Sequence, residues 1–104
     1  MFILLLCSSG MSTSMLVERM KKAAEEDGIT GLTIEAHSAA ELSKYSDQAD
    51  LILLGPQVRY QEAATKEAVG GRIPVAVIDM SDYGLMNGEA VLKNALKLIE
   101  DFKA

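Results

Sequence analysis

The sequence contains one cysteine, one histidine and no tryptophan, and these scarcities exclude several classes of function. One cysteine can form neither an internal disulfide nor a Cys-x-x-Cys redox pair. One cysteine (Cys7) with one histidine (His37) also falls short of the four ligands of a structural zinc site, so we expect no metal. Aromatic residues make up 5% of the chain, too few for a platform that stacks single-stranded nucleic acid.

Positive charge and long apolar runs are scarce as well. The chain has 10 basic and 15 acidic residues, a net charge of −5, and Lys21-Lys22 is its one basic pair, so we expect no nucleic-acid partner. The apolar run 1–7 is far shorter than the ~20 residues of a membrane span and lacks the flanks of a secretory signal. We expect a cytoplasmic protein without membrane insertion, and at 104 residues one domain, 1–104. No G-x-x-x-x-G-K-[ST] motif is present, so the chain lacks an ATP-dependent kinase loop. We expect no cofactor.

Apolar segments with strand and helix periodicity alternate along the chain. The patterns predict strands at 2–6, 32–37, 50–54 and 74–78, and helices at 13–27, 38–45, 58–69 and 89–102, with a loop at 79–88. The last helix is expected to bury one face, Leu92, Ala95, Leu96, Ile99 and Phe102. Such alternation predicts an α/β fold, a four-stranded parallel sheet with helices on both faces and strand order 2-1-3-4.

Cys7 ends the first predicted strand, and the expected strand order places it at the switch point where open α/β sheets bind ligands. The residues that follow are small or hydroxylated apart from one methionine: Ser8, Ser9, Gly10, Met11, Ser12, Thr13 and Ser14. Such a loop before a helix N-terminus offers unpaired amides and hydroxyls to an anion. From residue types alone, Cys7 is interpreted either as a buried strand-end residue or as a nucleophile that accepts a phosphoryl group.

The residue six positions after Cys7 separates two kinds of phosphoryl chemistry. Cysteine phosphatases use a C-x5-R loop whose arginine grips the phosphoryl oxygens, whereas this chain has Thr13 at that position. Without the arginine, a carrier is favoured over a hydrolase. His37 ends the strand expected beside the first one, which leaves a Cys-His pair open, although an exposed strand-end histidine is the preferred interpretation.

Two further loops are expected at the same rim. The segment after the third strand supplies Gln57 as a neutral donor and Arg59 as a cation, either solvated or docking an acidic or phosphorylated partner. The segment after the fourth strand carries Tyr83. Its apolar residues, Met80, Leu85 and Met86, either form a protein-contact surface or fold inward over the last helix.

The segments 3–14, 53–60, 73–80 and 83–88 together closely resemble the IIB component of the lactose/cellobiose/chitobiose branch of the bacterial sugar phosphotransferase system. The resemblance covers essentially the whole chain. It implies a four-stranded parallel α/β domain, which is similar to the low-molecular-weight tyrosine phosphatases in architecture.

The resemblance further implies that Cys7 takes a phosphoryl group from a phosphohistidine on the IIA protein. Cys7 then passes it to a β-disaccharide carried by the membrane protein IIC. The loop from Ser8 to Ser14 would hold the phosphoryl group, with Gln57 and Tyr83 nearby. The expected protein is a monomeric phosphotransferase at the membrane permease. A low-molecular-weight cysteine phosphatase and a non-catalytic regulatory IIB-like module stay open as alternatives.

Overall fold

The computed structural model of the chain describes residues 1–8 and 11–103. Its strands are β1 (Phe2–Cys7), β2 (Thr33–Ser38), β3 (Leu51–Leu54) and β4 (Val75–Val77). Its α-helices are α1 (Met11–Glu26), α2 (Leu42–Tyr45), α3 (Glu62–Val69), α4 (Met80–Gly84) and α5 (Gly88–Lys103), and 3-10 turns at Ala39–Glu41 and Pro56–Gln61 lead into α2 and α3.

The strands form one parallel sheet in the order β2-β1-β3-β4, so the predicted order is confirmed. β1 lies between β2 and β3, and its residues Ile3 to Leu6 are at most 1% exposed. A parallel strand covered on both faces favours such a continuous apolar run, because both sets of side chains lie in a core. Helices pack on both sides of this sheet, which is the expected architecture of the low-molecular-weight phosphatases.

Alternate residues of β1 belong to two separate cores. Ile3 and Leu5 pack with the buried faces of α1 and α5, whereas Leu4 and Leu6 pack on the side of α2 and α3. Side chains alternate across a strand, and each face is therefore covered by its own pair of helices. Packing on both faces of the sheet therefore fixes the position of β1 and of Cys7 at its end.

The first helix starts earlier than predicted. It begins at Met11, so Ser12, Thr13 and Ser14 lie in its first turn and not in a loop. Thr13 is fully buried and shares one helical face with Leu16, Val17 and Met20. The buried face thus extends one turn toward the N-terminus through a polar residue, which the apolar pattern alone misses.

The predicted loop at 79–88 was wrong in its centre, where α4 lies. Asp79 caps this helix, because its carboxylate accepts hydrogen bonds from the backbone N–H groups of Ser81 (3.0 Å) and Asp82 (3.2 Å). An aspartate at the N-cap satisfies amides that would otherwise lack a partner, so a single helical turn forms directly after β4. This turn gives Tyr83 a defined place.

Two other predictions need correction at their ends. Phe102 was expected in the buried face of α5, but it is 47% exposed, because it lies in the last turn of the helix, where it lines open grooves with Ile73 and Pro74. The helix predicted at 58–69 is a 3-10 turn up to Gln61 and an α-helix only from Glu62. Its predicted end is confirmed, since Gly70 takes the left-handed conformation at φ 60°.

Candidate functional site

Cys7 lies at the C-terminal end of the central strand and is 2% exposed. It is paired in register with Ser38 of β2, and the chain leaving β3 passes beside it, because the N–H of Gly55 donates to the carbonyl of Leu6 (2.8 Å). The first helix begins only four residues further on, at Met11. The thiol is therefore placed between three converging segments at the switch point of the sheet.

The hydroxyl-rich segment after Cys7 is described in part. Ser8 is exposed directly after the strand, whereas Ser9 and Gly10 lie outside the described residues, as do the side chains of Met11 and Ser12. Ser14 is exposed on α1 and lies in a shallow groove with Glu18 and His37. The role of this segment in holding a phosphoryl group stays a prediction.

A chain of hydrogen bonds joins the segments that follow β1, β3 and β4. The Tyr83 hydroxyl lies 3.3 Å from the Thr13 hydroxyl, and it accepts a hydrogen bond from Nε2 of Gln57 at 2.9 Å. Tyr83 also packs against the core beneath α1 and α5. The structure thus brings together the predicted residues Thr13, Gln57 and Tyr83, although they are distant in sequence.

His37 lies away from this chain of hydrogen bonds. Its ring stacks on Tyr45 with centroids 3.8 Å apart, and its Nε2 lies 2.8 Å from a carboxylate oxygen of Glu35. His37 is in register with Leu6, and neighbouring strand residues point to opposite faces, so its side chain is on the other side of the sheet from that of Cys7. The interpretation of His37 as a strand-end residue is favoured over a Cys-His pair.

An open groove of about 670 Å³ lies beside the site. It is lined by Pro56, Gln57, Arg59, Tyr60, Met80, Tyr83 and Gly84. Tyr60 and Met80 are 76% and 61% exposed, and within residues 1–8 and 11–103 the Arg59 side chain makes no ion pair. The groove is therefore an apolar surface with one uncompensated positive charge. Tyr60 was missed from the sequence, because its exposure depends on how the 3-10 turn packs.

The apolar residues of the segment after β4 divide between surface and core. Met80 and Leu85 (77% exposed) face solvent, whereas Met86 packs against the core beneath α5. In the described part of the chain there is no helix long and apolar enough to cross a membrane. Nor do His, Cys, Asp and Glu side chains of that part gather into a group able to hold a metal ion.

The family model for the lactose/cellobiose-specific IIB subunit of the PTS system (the sugar phosphotransferase system) matches residues 2–94. The chain belongs to that family. It is a IIB component of the lactose/cellobiose class, and as such a phosphotransferase component of sugar transport.

Curated relatives span almost the whole chain. The galactose-specific EIIB component of Lactococcus lactis subsp. cremoris is 43% identical over 104 residues, covering 93% of this chain and 94% of the relative. The cellobiose-specific EIIB component of Lactococcus lactis subsp. lactis is 42% identical with the same coverage. The oligo-beta-mannoside-specific EIIB component of Bacillus subtilis is 41% identical over 98 residues, again with 93% and 94% coverage.

Solved structures of IIB components superpose on this fold. The cellobiose-specific phosphotransferase IIB component from Borrelia burgdorferi gives a TM-score of 0.80 at 43% identity, over 97% of this chain and 93% of that one. The lactose-specific IIB component domain from Streptococcus pneumoniae gives a TM-score of 0.78 at 18% identity, over 94% and 96%, and so supports the fold alone. The IIB fold is thus kept where most residues differ.

Proposed function

We propose that this IIB component carries phosphoryl groups on Cys7, receiving each from a phosphohistidine of a IIA protein and donating it to a β-disaccharide carried by IIC. The observation that supports this most is the position of Cys7. The chain's one thiol ends the central strand at the switch point, and a helix begins four residues later. The whole chain, 1–104, would act as one cytoplasmic IIB domain, a monomer that associates peripherally with the membrane permease IIC.

Each transfer exchanges one bond to phosphorus for another. In the first step, the Cys7 thiolate attacks phosphorus, an S–P bond forms, the P–N bond to the donor histidine breaks and the imidazole keeps the electron pair. In the second step, a sugar hydroxyl attacks phosphorus, the S–P bond breaks, the hydroxyl proton leaves to solvent or a partner base, and the thiolate is regenerated. No net oxidation or hydrolysis occurs, so no cofactor is required.

The surroundings of Cys7 suit a carrier better than a hydrolase. The thiol is 2% exposed, which limits the approach of water to an S–P bond. Thr13 occupies the position of the phosphatase arginine, and its buried hydroxyl contacts Tyr83. Neutral donors from the segment Ser8–Ser14 and from Gln57 would hold the phosphoryl oxygens without the strong cationic grip that stabilises a hydrolytic transition state.

The groove beside the site is proposed as the docking surface for the phosphorylated donor. Tyr60 and Met80 offer exposed apolar area, and Arg59 is a cation without an ion-pair partner in the described chain. A partner that arrives with a phosphohistidine is negatively charged at its contact point, so Arg59 complements it. The curated relatives are named for galactose, cellobiose and oligo-beta-mannosides at 43%, 42% and 41% identity, and we propose that IIC selects the sugar.

Phosphorylation by the upstream proteins tests the proposal directly. The protein is incubated with phosphoenolpyruvate, the general phosphotransferase proteins and a IIA protein of the lactose/cellobiose branch, and its intact mass is measured. Wild type should gain one phosphoryl group and lose it when IIC and a β-disaccharide are added. Cys7→Ser should gain no stable phosphothiolate, while Ser43→Ala, on exposed α2, serves as a matched surface control.

Each alternative has its own result. Steady turnover of an aryl phosphate that Cys7→Ala abolishes would indicate a cysteine phosphatase. Full sugar uptake with Cys7→Ala would indicate a non-catalytic regulatory module. Absence of any label on wild type with several IIA proteins of this branch would contradict the carrier proposal.

A further inference from the structure

Gly55 has a backbone conformation that does not require glycine. Its φ of −61° and ψ of 151° lie in the extended region that every residue adopts. It is buried immediately after β3, and its N–H donates to the carbonyl of Leu6 (2.8 Å). The backbone conformation therefore does not explain why residue 55 is a glycine.

The space that a side chain would take is occupied by Gln57. A Cβ on residue 55 would lie 2.6 Å from Oε1 of Gln57, closer than two such atoms approach in proteins. It would lie 3.5 Å from the carbonyl oxygen of Leu6 and 3.6 Å from Cβ of Cys7, which are ordinary contacts. The Gln57 side chain thus lies against Gly55, and Gly55 in turn lies against Cys7.

The other end of the same carboxamide is held by a tyrosine. Nε2 of Gln57 donates to the Tyr83 hydroxyl (2.9 Å), which lies 3.3 Å from the hydroxyl of the buried Thr13. Since a carboxamide nitrogen carries two hydrogens, this bond uses one and leaves the second for another acceptor. The carboxamide of the exposed Gln57 therefore lies between the glycine and the tyrosine, with Oε1 toward Gly55 and Nε2 on the Tyr83 hydroxyl.

We propose that Gly55 is a positioning residue for phosphoryl transfer. By lacking Cβ, it leaves room for the Gln57 carboxamide to lie with Oε1 against Gly55 and Nε2 on Tyr83, and from this orientation the second N–H would donate to a phosphoryl oxygen on Cys7. The inference rests on the proposed carrier function. It adds to the site a residue that lies outside the hydroxyl-rich loop.

A double-mutant cycle between Gly55→Ala and Gln57→Ala tests this inference. The readout is the single-turnover rate of phosphoryl transfer from a saturating phosphorylated IIA protein. Gly55→Ala and Gln57→Ala should each slow transfer about tenfold, since each removes one hydrogen bond to a charged group. The double variant should be no slower than either single variant, because the added methyl clashes only with the Gln57 side chain.

Side-chain NMR and thermal unfolding separate positioning from loss of structure. In Gly55→Ala the side-chain amide signals of Gln57 should shift, while the melting temperature stays close to that of wild type. Ser43→Ala, an exposed substitution on α2, is the control, and its transfer rate should equal that of wild type.

The remaining outcomes overturn the inference. Wild-type transfer rates in Gly55→Ala, or losses that multiply in the double variant, would show that the glycine does not act through Gln57. Unfolding of both Gly55→Ala and the double variant would show that the backbone itself needs the glycine. Failure of the carrier function is a different result, since wild type itself would then take no label.

Discussion

Gly88, the first residue of α5, lies directly against the backbone of Arg19 in α1. A Cβ at position 88 would be 2.5 Å from Cβ of Arg19 and 2.6 Å from the backbone nitrogen of Met20. The two helices therefore approach each other so closely that only glycine fits at the crossing. Both helices cover the same face of the sheet, and α1 begins four residues after Cys7.

Gly88→Ala should destabilise the protein by about 1–3 kcal/mol, because backbone atoms must move apart to admit the methyl group. For a domain of this size each kcal/mol lowers the melting temperature by roughly 4–8 °C. Thermal unfolding followed by circular dichroism measures the change. Gly84→Ala is the control, since a Cβ there has open space, and a similar melting temperature for both variants would contradict the helix-crossing argument.

Thr13→Val should cost about 1 kcal/mol in unfolding free energy and should also slow phosphoryl transfer. Valine keeps the buried shape of Thr13 but lacks the hydroxyl that contacts Tyr83. Thr65→Val is a matched control, because Thr65 of α3 is also buried and its hydroxyl donates to the carbonyl of Gln61 (2.8 Å). Both variants should lose similar stability, and only Thr13→Val should slow phosphoryl transfer. Equal transfer rates in the two variants would contradict a role for Thr13 in the site.

Asp79→Ala should lower stability by about 1 kcal/mol, since α4 loses its N-cap. Because α4 carries Tyr83, transfer should slow as well. Asp79→Asn should restore both properties, as asparagine caps helices about as well as aspartate. Urea unfolding and single-turnover transfer measure the two effects, and an asparagine variant as defective as the alanine variant would point to a need for the negative charge.

Arg59→Gln should raise the concentration of phosphorylated IIA needed for half-maximal transfer by about twofold to fivefold, as expected for an exposed charge pair. The rate at saturating donor should stay unchanged, because Arg59 is proposed to dock the partner and not to contact phosphorus. Arg72→Gln is the matched control, since Arg72 is exposed, precedes β4 and lies 3.6 Å from Asp47. Equal effects of the two variants would contradict a docking role for the groove.

The strand order and the place of Cys7 could be predicted because they depend on local patterns. Four apolar segments that alternate with helical periodicity leave few topologies, and Gly70 ends its helix as its residue type predicts. The turn at α4 was missed because the short Asp79–Gly84 segment carries loop-forming residues, and its helix depends on one side-chain cap.

The contacts that build the site could be predicted only in part. Gln57 and Tyr83 were expected near Cys7 from the family resemblance, and the structure adds the hydrogen bond between them. The close contacts of Gly55 and Gly88 could not be predicted from the sequence. The contact of Gly55 depends on the conformation of the Gln57 side chain, and that of Gly88 depends on the backbone of α1, which is distant along the chain. A glycine in the sequence indicates only that other atoms can come close to its Cα. Which atoms do so depends on the folded structure.

The strand that ends in Cys7 is an inner strand of the sheet and is buried from Ile3 to Cys7, with β2 and β3 hydrogen-bonded on its two sides. Amides in such a strand exchange with solvent deuterium only when the whole domain opens, whereas loops and helix ends open far more often. We therefore expect the β1 amides that lead to Cys7 to be among the slowest of the chain to exchange. Hydrogen–deuterium exchange would then find the thiol at the end of one of the most protected backbone segments.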